Sequence, residues 1–238
     1  MNDITPKQIY NRLSKVYDRS YKEPIHKIED EFVYKYLAEN GFTDGKILDI
    51  GSGTGVLLNH IGIKPDNYVG LDISERMIEI STEKFPNHEF IKGTMSNMPF
   101  DDESFECVIS LFGSFSYSLN HRKTVLEIKR VLKPNGKFLI MAYGTKYQKR
   151  ESYILNHFKI NSPAKFFKGK ELKNLFQDFG NVKILGMTWL SELVSKHFSY
   201  TLAKNYHFLE TKFIGSIIPD KFYFQIITGQ KNAKTLLH

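Results

Sequence analysis

The stretch Ile47-Leu48-Asp49-Ile50-Gly51-Ser52-Gly53-Thr54-Gly55 is the part of the chain best equipped for chemistry. Glycines that follow a short apolar run let the backbone turn tightly and bring its N–H groups close to a ligand. One acid, Asp49, stands inside that run, and a second, Asp72, ends the next one, Tyr68-Val69-Gly70-Leu71. The spacing is G-x-G-x-G, because Val56 follows Gly55. A dinucleotide fingerprint requires G-x-G-x-x-G, so nicotinamide chemistry is disfavoured. Plainer readings make the glycines packing residues, the two aspartates turn or helix caps, and Met77 core. They give no reason for acids at both strand ends beside such a loop.

Other reactive side chains are few. Cys107 is the single cysteine and lies in an apolar run, which points to a buried, inert thiol. It excludes a disulfide framework and multi-cysteine metal sites, and no metal is expected. His121 can act as a base, although a polar residue opening a helix is more often a surface group. Tyr21 and Tyr117 are the other catalytic candidates.

Positioning these residues requires alternating elements. Apolar spacing near 3.6 predicts helix over residues 5–40, and Gly41 and Asp44-Gly45 stop it. Strands are predicted at 46–50, 68–71, 88–92, 105–112, 137–143, 182–188 and 222–228. Helices are predicted after the glycine loop and over 74–85, 122–132 and 170–179, and Pro134-Asn135-Gly136 reads as a turn. Strands alternating with helices imply a doubly wound, mostly parallel α/β sheet. No linker or repeat interrupts it, so 1–238 reads as one domain with an N-terminal helical cap over 1–40. Residues 144–169 and 190–220 are too long for plain loops, and are expected to form a lid over a substrate site.

Composition narrows the classes. Hydrophobic residues make up 41% and charged residues 25% of 238 positions, as in an ordinary soluble globular protein. No signal peptide or spanning segment is evident, so the expected compartment is the cytoplasm. The net charge of +7 is uneven: residues 1–120 hold 12 basic and 19 acidic side chains, residues 121–238 hold 21 and 7. Such a basic half can mark a nucleic-acid surface or a solvated face.

Five blocks in order resemble the class I S-adenosylmethionine-dependent methyltransferases of the small-molecule type. They are residues 10–18 (Tyr10-Asn11-Arg12-Leu13-Ser14-Lys15-Val16-Tyr17-Asp18), the glycine loop, 68–74, Asn97-Met98-Pro99-Phe100 with Asp102, Ser104 and Phe105, and 130–136. The likeness covers 10–143 and resumes weakly at 223–231. It implies a seven-stranded Rossmann-like fold and S-adenosyl-L-methionine as cofactor. It also implies that Asp72 accepts hydrogen bonds from both ribose hydroxyls and that Tyr17 closes over the cofactor. Thr94 stands where the family usually has an acid near the adenine, and Met95 packs on that ring. Asp49, Gly51, Ser52, Gly53, Gly55, Ile73, Met77 and Leu111 complete the expected cofactor set.

The acceptor is less defined. Ser110-Leu111-Phe112-Gly113-Ser114-Phe115 replaces the Pro-Pro motif used on base and glutamine amino groups. Cytosine C5 chemistry lacks a suitable thiol, and no acidic cluster supports metal-dependent catechol methylation. An oxygen or nitrogen of a small molecule, aromatic or partly anionic, is the expected acceptor. Ser116, Tyr117, His121, Tyr143, Tyr147, His157, Trp189 and His197 are available to contact it after strands four to six. The alternatives are a methyltransferase acting on RNA or a tRNA-linked substrate, and a scaffold that keeps the fold without catalysis. Scattered basic residues without an RNA-binding module disfavour the first. A monomer or homodimer is expected.

Overall fold

The computed structural model describes residues 5–14, 23–147 and 163–233. Helix α1 (Pro6–Leu13) opens with a capping box, in which the Thr5 hydroxyl accepts from the Gln8 N–H and the Gln8 side chain accepts from the Thr5 N–H. Helix α2 (Pro24–Glu39) also begins on a proline, which has no N–H to leave unsatisfied. Strands β1 (Ile47–Ile50) and β2 (Tyr68–Asp72) precede α3 (Glu75–Lys84) and β3 (Glu89–Lys92). Next come β4 (Phe105–Ser110), α4 (His121–Val131), β5 (Leu132–Tyr143), α5 (Gly169–Leu175) and β6 (Gly180–Met187). The chain ends with α6 (Ser191–His197), α7 (Tyr200–Leu209) and β7 (Phe224–Gln230).

The seven strands form one sheet in the order β3-β2-β1-β4-β5-β7-β6. The first five are parallel, and β7 runs antiparallel to both β5 and β6. Strand order reverses between β1 and β4, so their carboxyl ends flank the crevice where ligands of such sheets bind.

Alternating side chains supply two cores. Leu48, Ile50, Val108, Phe138 and Ile140 share a core with Ile128 and Val131 of α4, Leu172 of α5 and Phe176 just beyond it. Ile47, Cys107, Ile109, Leu139 and Met141 face Val33, Tyr34 and Leu37 of α2. Each such fully buried side chain contributes about 1.5–3 kcal/mol relative to exposure.

Two expectations change. The glycine loop does not open an α-helix; Gly55 leads into a single 3₁₀ turn, Val56–Asn59. Gly62 and Pro65 follow at once, and the chain must reach β2 at Tyr68, so no room remains for a long helix. The turn at Pro134-Asn135-Gly136 does not precede β5 but bulges within it. Phe105 pairs with Leu132 and Cys107 with Lys137, and Asn135 takes a positive φ of 63°. Reciprocal backbone bonds to Lys231 hold the bulge.

Candidate active site

A cleft lies at the carboxyl ends of β1, β2 and β4, the edge where open α/β sheets bind ligands. Its lining comes from α1 (Pro6, Tyr10), the glycine loop (Gly51, Gly53), the end of β2 and start of α3 (Leu71, Asp72, Ile73, Met77), the segment after β3 (Gly93 to Ser96) and the segment after β4 (Ser114, Tyr117, Ser118, Leu119).

The three loop glycines do different things. All have positive φ: 78° at Gly51, 55° at Gly53 and 76° at Gly55. A Cβ on Gly51 would sit 2.4 Å from the Ser114 Cβ, and one on Gly55 would press on Phe85 and Phe90. One on Gly53 would meet nothing within 4 Å, so the space beside Gly53 is left open to the cavity.

Asp72 ends β2 with its carboxylate nearly buried. One oxygen accepts from the Gly53 N–H at 2.9 Å and the other from the Ser74 N–H at 2.8 Å. Burial raises its pKa, while N–H donation from Ser74, Gly53 and Ile73 opposes the rise. Each carboxylate oxygen keeps further acceptor capacity toward the cavity. The Ser74 hydroxyl caps α3 by accepting from Met77 N–H, and it donates to Asn11 Oδ1 at 2.6 Å. This bond ties α1 across the mouth of the cavity.

Not every sequence candidate reaches the lining. Asp49 is buried behind the loop, where it accepts from the Tyr68 hydroxyl at 3.0 Å, and burial pushes its pKa up to about 7. Ser52 is buried against Gly70, and Leu111 lies in the core below α2. Gly55 serves packing. Thr94 does line the cavity, but its hydroxyl is 2.9 Å from Ser96 Oγ and accepts the Ser96 N–H. Tyr17, Tyr21 and His157 lie outside the described residues.

His121 departs from the expectation of a surface group. It is half-buried at the start of α4, its ring edge-on to Phe115 at 5.1 Å and Phe167 at 5.0 Å. Burial, then the Lys165 charge, lower its pKa. It does not line the cavity. Nor do Ser116, Tyr143, Tyr147, Trp189 or His197; the Ser116 hydroxyl accepts the Tyr143 N–H at 2.8 Å, a structural bond. Among the described residues Tyr117 alone of the expected acceptor contacts does, edge-on to Tyr10 at 5.3 Å and Tyr143 at 6.0 Å.

Tyr10, Ser96, Ser114, Ser118 and Leu119 were not anticipated as lining. Tyr10 stands on α1, in the block whose resemblance points to Tyr17. The serines follow no spacing rule, since loops after β3 and β4 bring them in.

Similarity to known proteins agrees with this geometry. A methyltransferase-domain family model matches residues 48–140, which span β1 to the middle of β5. An uncharacterised protein of Methanocaldococcus jannaschii, MJ1252, is 31% identical over 191 residues, covering 74% of this chain and 72% of its own. A demethylmenaquinone methyltransferase of Staphylococcus aureus is 27% identical over 81% of this chain and 91% of its own. The chain belongs to the class I S-adenosylmethionine-dependent methyltransferases. The crystal structure of another methyltransferase, a possible histamine N-methyltransferase from Thermotoga maritima, shares the fold. It superposes with a TM-score of 0.63 at 22% identity and covers 95% of this chain and 99% of that one. The methyltransferase is thus an enzyme that uses S-adenosylmethionine. Among its described residues no helix is long and apolar enough to cross a membrane.

Proposed function

We propose that this methyltransferase holds its cofactor between Gly53 and Asp72 and passes the methyl group to an oxygen or nitrogen of a small, flat acceptor seated against Tyr10 and Tyr117. The donor set suits the cofactor. Asp72 offers two carboxylate oxygens for a pair of hydroxyls, Gly53 leaves its side-chain space open, and Leu71, Ile73, Met77 and Met95 supply an apolar bed for a flat base. When bound, the cofactor supplies an electrophilic methyl group, so the protein's task is to position the acceptor and exclude water. Tyr10 and Tyr117 shape the acceptor wall, and α1 closes it through Asn11 and Ser74.

The observation that carries the acceptor class is the aromatic pair Tyr10 and Tyr117, the two rings that line the cavity, with Tyr143 and Tyr147 packed behind them. Tyr10, Tyr117 and Tyr143 meet edge-on, and Tyr143 stacks on Tyr147 at 4.0 Å. Among the described residues the lining has no lysine or arginine, which supports an aromatic acceptor over an anionic one. A ring acceptor of the quinol kind is a second reading, favoured by the likeness to the demethylmenaquinone methyltransferase. The reaction belongs in the cytoplasm on this reading, in keeping with a free, buried Cys107 thiol.

Turnover of labelled S-adenosylmethionine against phenols, aromatic amines, quinols and aliphatic hydroxy acids tests the proposal, with magnetic resonance locating the methylated atom. Methylation of an aromatic oxygen or nitrogen is expected. Turnover confined to aliphatic acceptors defeats the aromatic reading, and methylation at a ring carbon selects the second. Bulk tRNA bound at low salt and released at high salt would point instead to an RNA substrate.

A further inference from the structure

The blocks at 97–105 and 130–136 add nothing to the wall of the cleft, yet they meet at one side chain. Arg130, near the end of α4, uses all five of its N–H donors. Its Nε donates to Glu127 Oε1 at 2.8 Å. Nη2 donates to Glu127 Oε2 at 2.9 Å and to the Met98 carbonyl at 3.0 Å. Nη1 donates to the Phe100 carbonyl at 2.6 Å and to Asp102 Oδ1 at 2.9 Å. Glu127 Oε2 also accepts the Met98 N–H at 2.7 Å. One ion pair on α4 thus grips both backbone polar groups of Met98 and the carbonyl two residues on.

Met98 stands where the turn that lines the cleft, Gly93 to Ser96, returns to the core. The entrance of that turn is fixed by the Gly93 N–H, which donates to the Asp72 carbonyl at 2.9 Å. Within it, the Asn97 N–H donates to the Thr94 carbonyl at 3.1 Å, and the Ser96 N–H to the Thr94 hydroxyl. Bonds of that kind give a turn its shape, but where it points depends on its two ends. The exit is the end that α4 holds, and hydrogen bonds to charged partners are the stronger ones. Met95 packs against the same core as the buried Met98 side chain, so the grip on Met98 reaches the cleft wall.

We propose that Glu127 and Arg130 are positioning residues for the cofactor, acting through Met98 to hold the turn 93–96 against its base. Neither side chain touches the cleft, so their effect is on the aim of Met95 and not on contact with the ligand. The inference rests on the proposed seating of the base on Met95, and it does not depend on which acceptor is methylated.

Calorimetric titration of the full chain with S-adenosylhomocysteine tests this as a double-variant cycle between Arg130 and Met95. Arg130→Lys keeps the charge, but a single ammonium cannot reproduce the planar fork that reaches both carbonyls and Glu127. It should weaken binding about fivefold to tenfold. Met95→Ala should weaken binding too, and in that background Arg130→Lys should matter by less than about twofold, because the contact it acts through is gone. An arginine that only stabilises the fold would lower the melting temperature and weaken binding by the same factor in both backgrounds, which overturns the proposal. Glu127→Gln can still accept the Met98 N–H and should bind more tightly than Glu127→Ala, a comparison that holds even if Arg130→Lys does not fold. Equal affinities for those two variants count against the grip on Met98 and overturn it as well. Should Met95→Ala weaken binding while Arg130→Lys does not, the seating of the base stands and the proposal alone fails. Unchanged binding in Met95→Ala removes the base from the turn, and the proposal falls with that reading.

Discussion

The side chain of Ser114 occupies the place that a Cβ on Gly51 would take. Its Cβ would lie 2.4 Å from such an atom, and its hydroxyl donates to the Gly51 carbonyl at 3.1 Å. The two residues close the gap between the ends of β1 and β4, where the strand order reverses. A missing side chain on one strand end thus lets the other strand's loop seal the floor of the site.

Gly51→Ala should therefore destabilise the protein by about 1–3 kcal/mol, the usual cost of forcing a group into packed space. Ser114→Gly in the same chain should recover part of that loss. Denaturant midpoints of the two single variants and the double variant check this, and simple additivity would show that the two sites are not coupled.

At Gly53 the opposite balance holds. Valine there meets no protein atom at its Cβ, so the fold is retained apart from a backbone cost of about 1–2 kcal/mol for the left-handed conformation. Its methyl groups nevertheless enter the cavity. Calorimetric titration with S-adenosylhomocysteine should show binding lost in a folded protein.

Asp72→Ala should weaken the same titration more than tenfold, about 1.4 kcal/mol or more. The carboxylate also anchors the Gly53 and Ser74 N–H groups, so the melting temperature should fall as well. Unchanged affinity would remove Asp72 from the cofactor site.

Asn11→Ala removes the acceptor that ties α1 to Ser74 Oγ and, at 3.4 Å, to Arg76 N–H. Pro6 and Tyr10 line the cavity from α1, so S-adenosylhomocysteine should dissociate faster and bind about fivefold to tenfold more weakly, matching about 1–1.5 kcal/mol for the lost bonds. Stopped-flow release measurements read this directly.

Asp49 has a pKa raised from 3.8 to about 7, because burial disfavours its charge. The folded protein then holds a proton that the unfolded chain releases near pH 4, so this group's contribution to stability is lost as pH rises from about 4 toward 7. Asp72 and Asp30 are shifted the same way, which makes the wild-type slope a sum. Asp49→Asn, whose amide oxygen can still accept from Tyr68, should flatten the slope without removing it. Denaturant midpoints across that range for both proteins provide the measurement.

Much of the fold is legible in the chain because its signals are local. Apolar runs bounded by glycine gave β1 and β2 their positions, and helical spacing placed α3 and α4 within a residue or two. The 3₁₀ turn after Gly55 was less visible, since a capped helix and a short turn begin alike and only the distance to β2 decides between them. The bulge at Asn135 was read as a turn because local turn chemistry is the same in both; pairing with Lys231 makes it part of a strand.

By itself the amino-acid sequence pointed to the type of protein: a glycine loop after one strand and an acid at the end of the next stand ready for a ligand, and the resemblance of five ordered blocks to the methyltransferases supplied the cofactor. Tertiary structure decided which of those residues meet the cavity. Gly53 and Asp72 do, whereas Asp49, Ser52, Gly55 and Leu111 turn inward to packing and hydrogen bonds. It also decided that His121 is wedged between two phenylalanine rings and that the apolar residues of α6 and α7 face outward. The reason is physical. Spacing fixes which side chains share a face, but only packing between elements distant in sequence settles whether that face meets core, ligand or solvent.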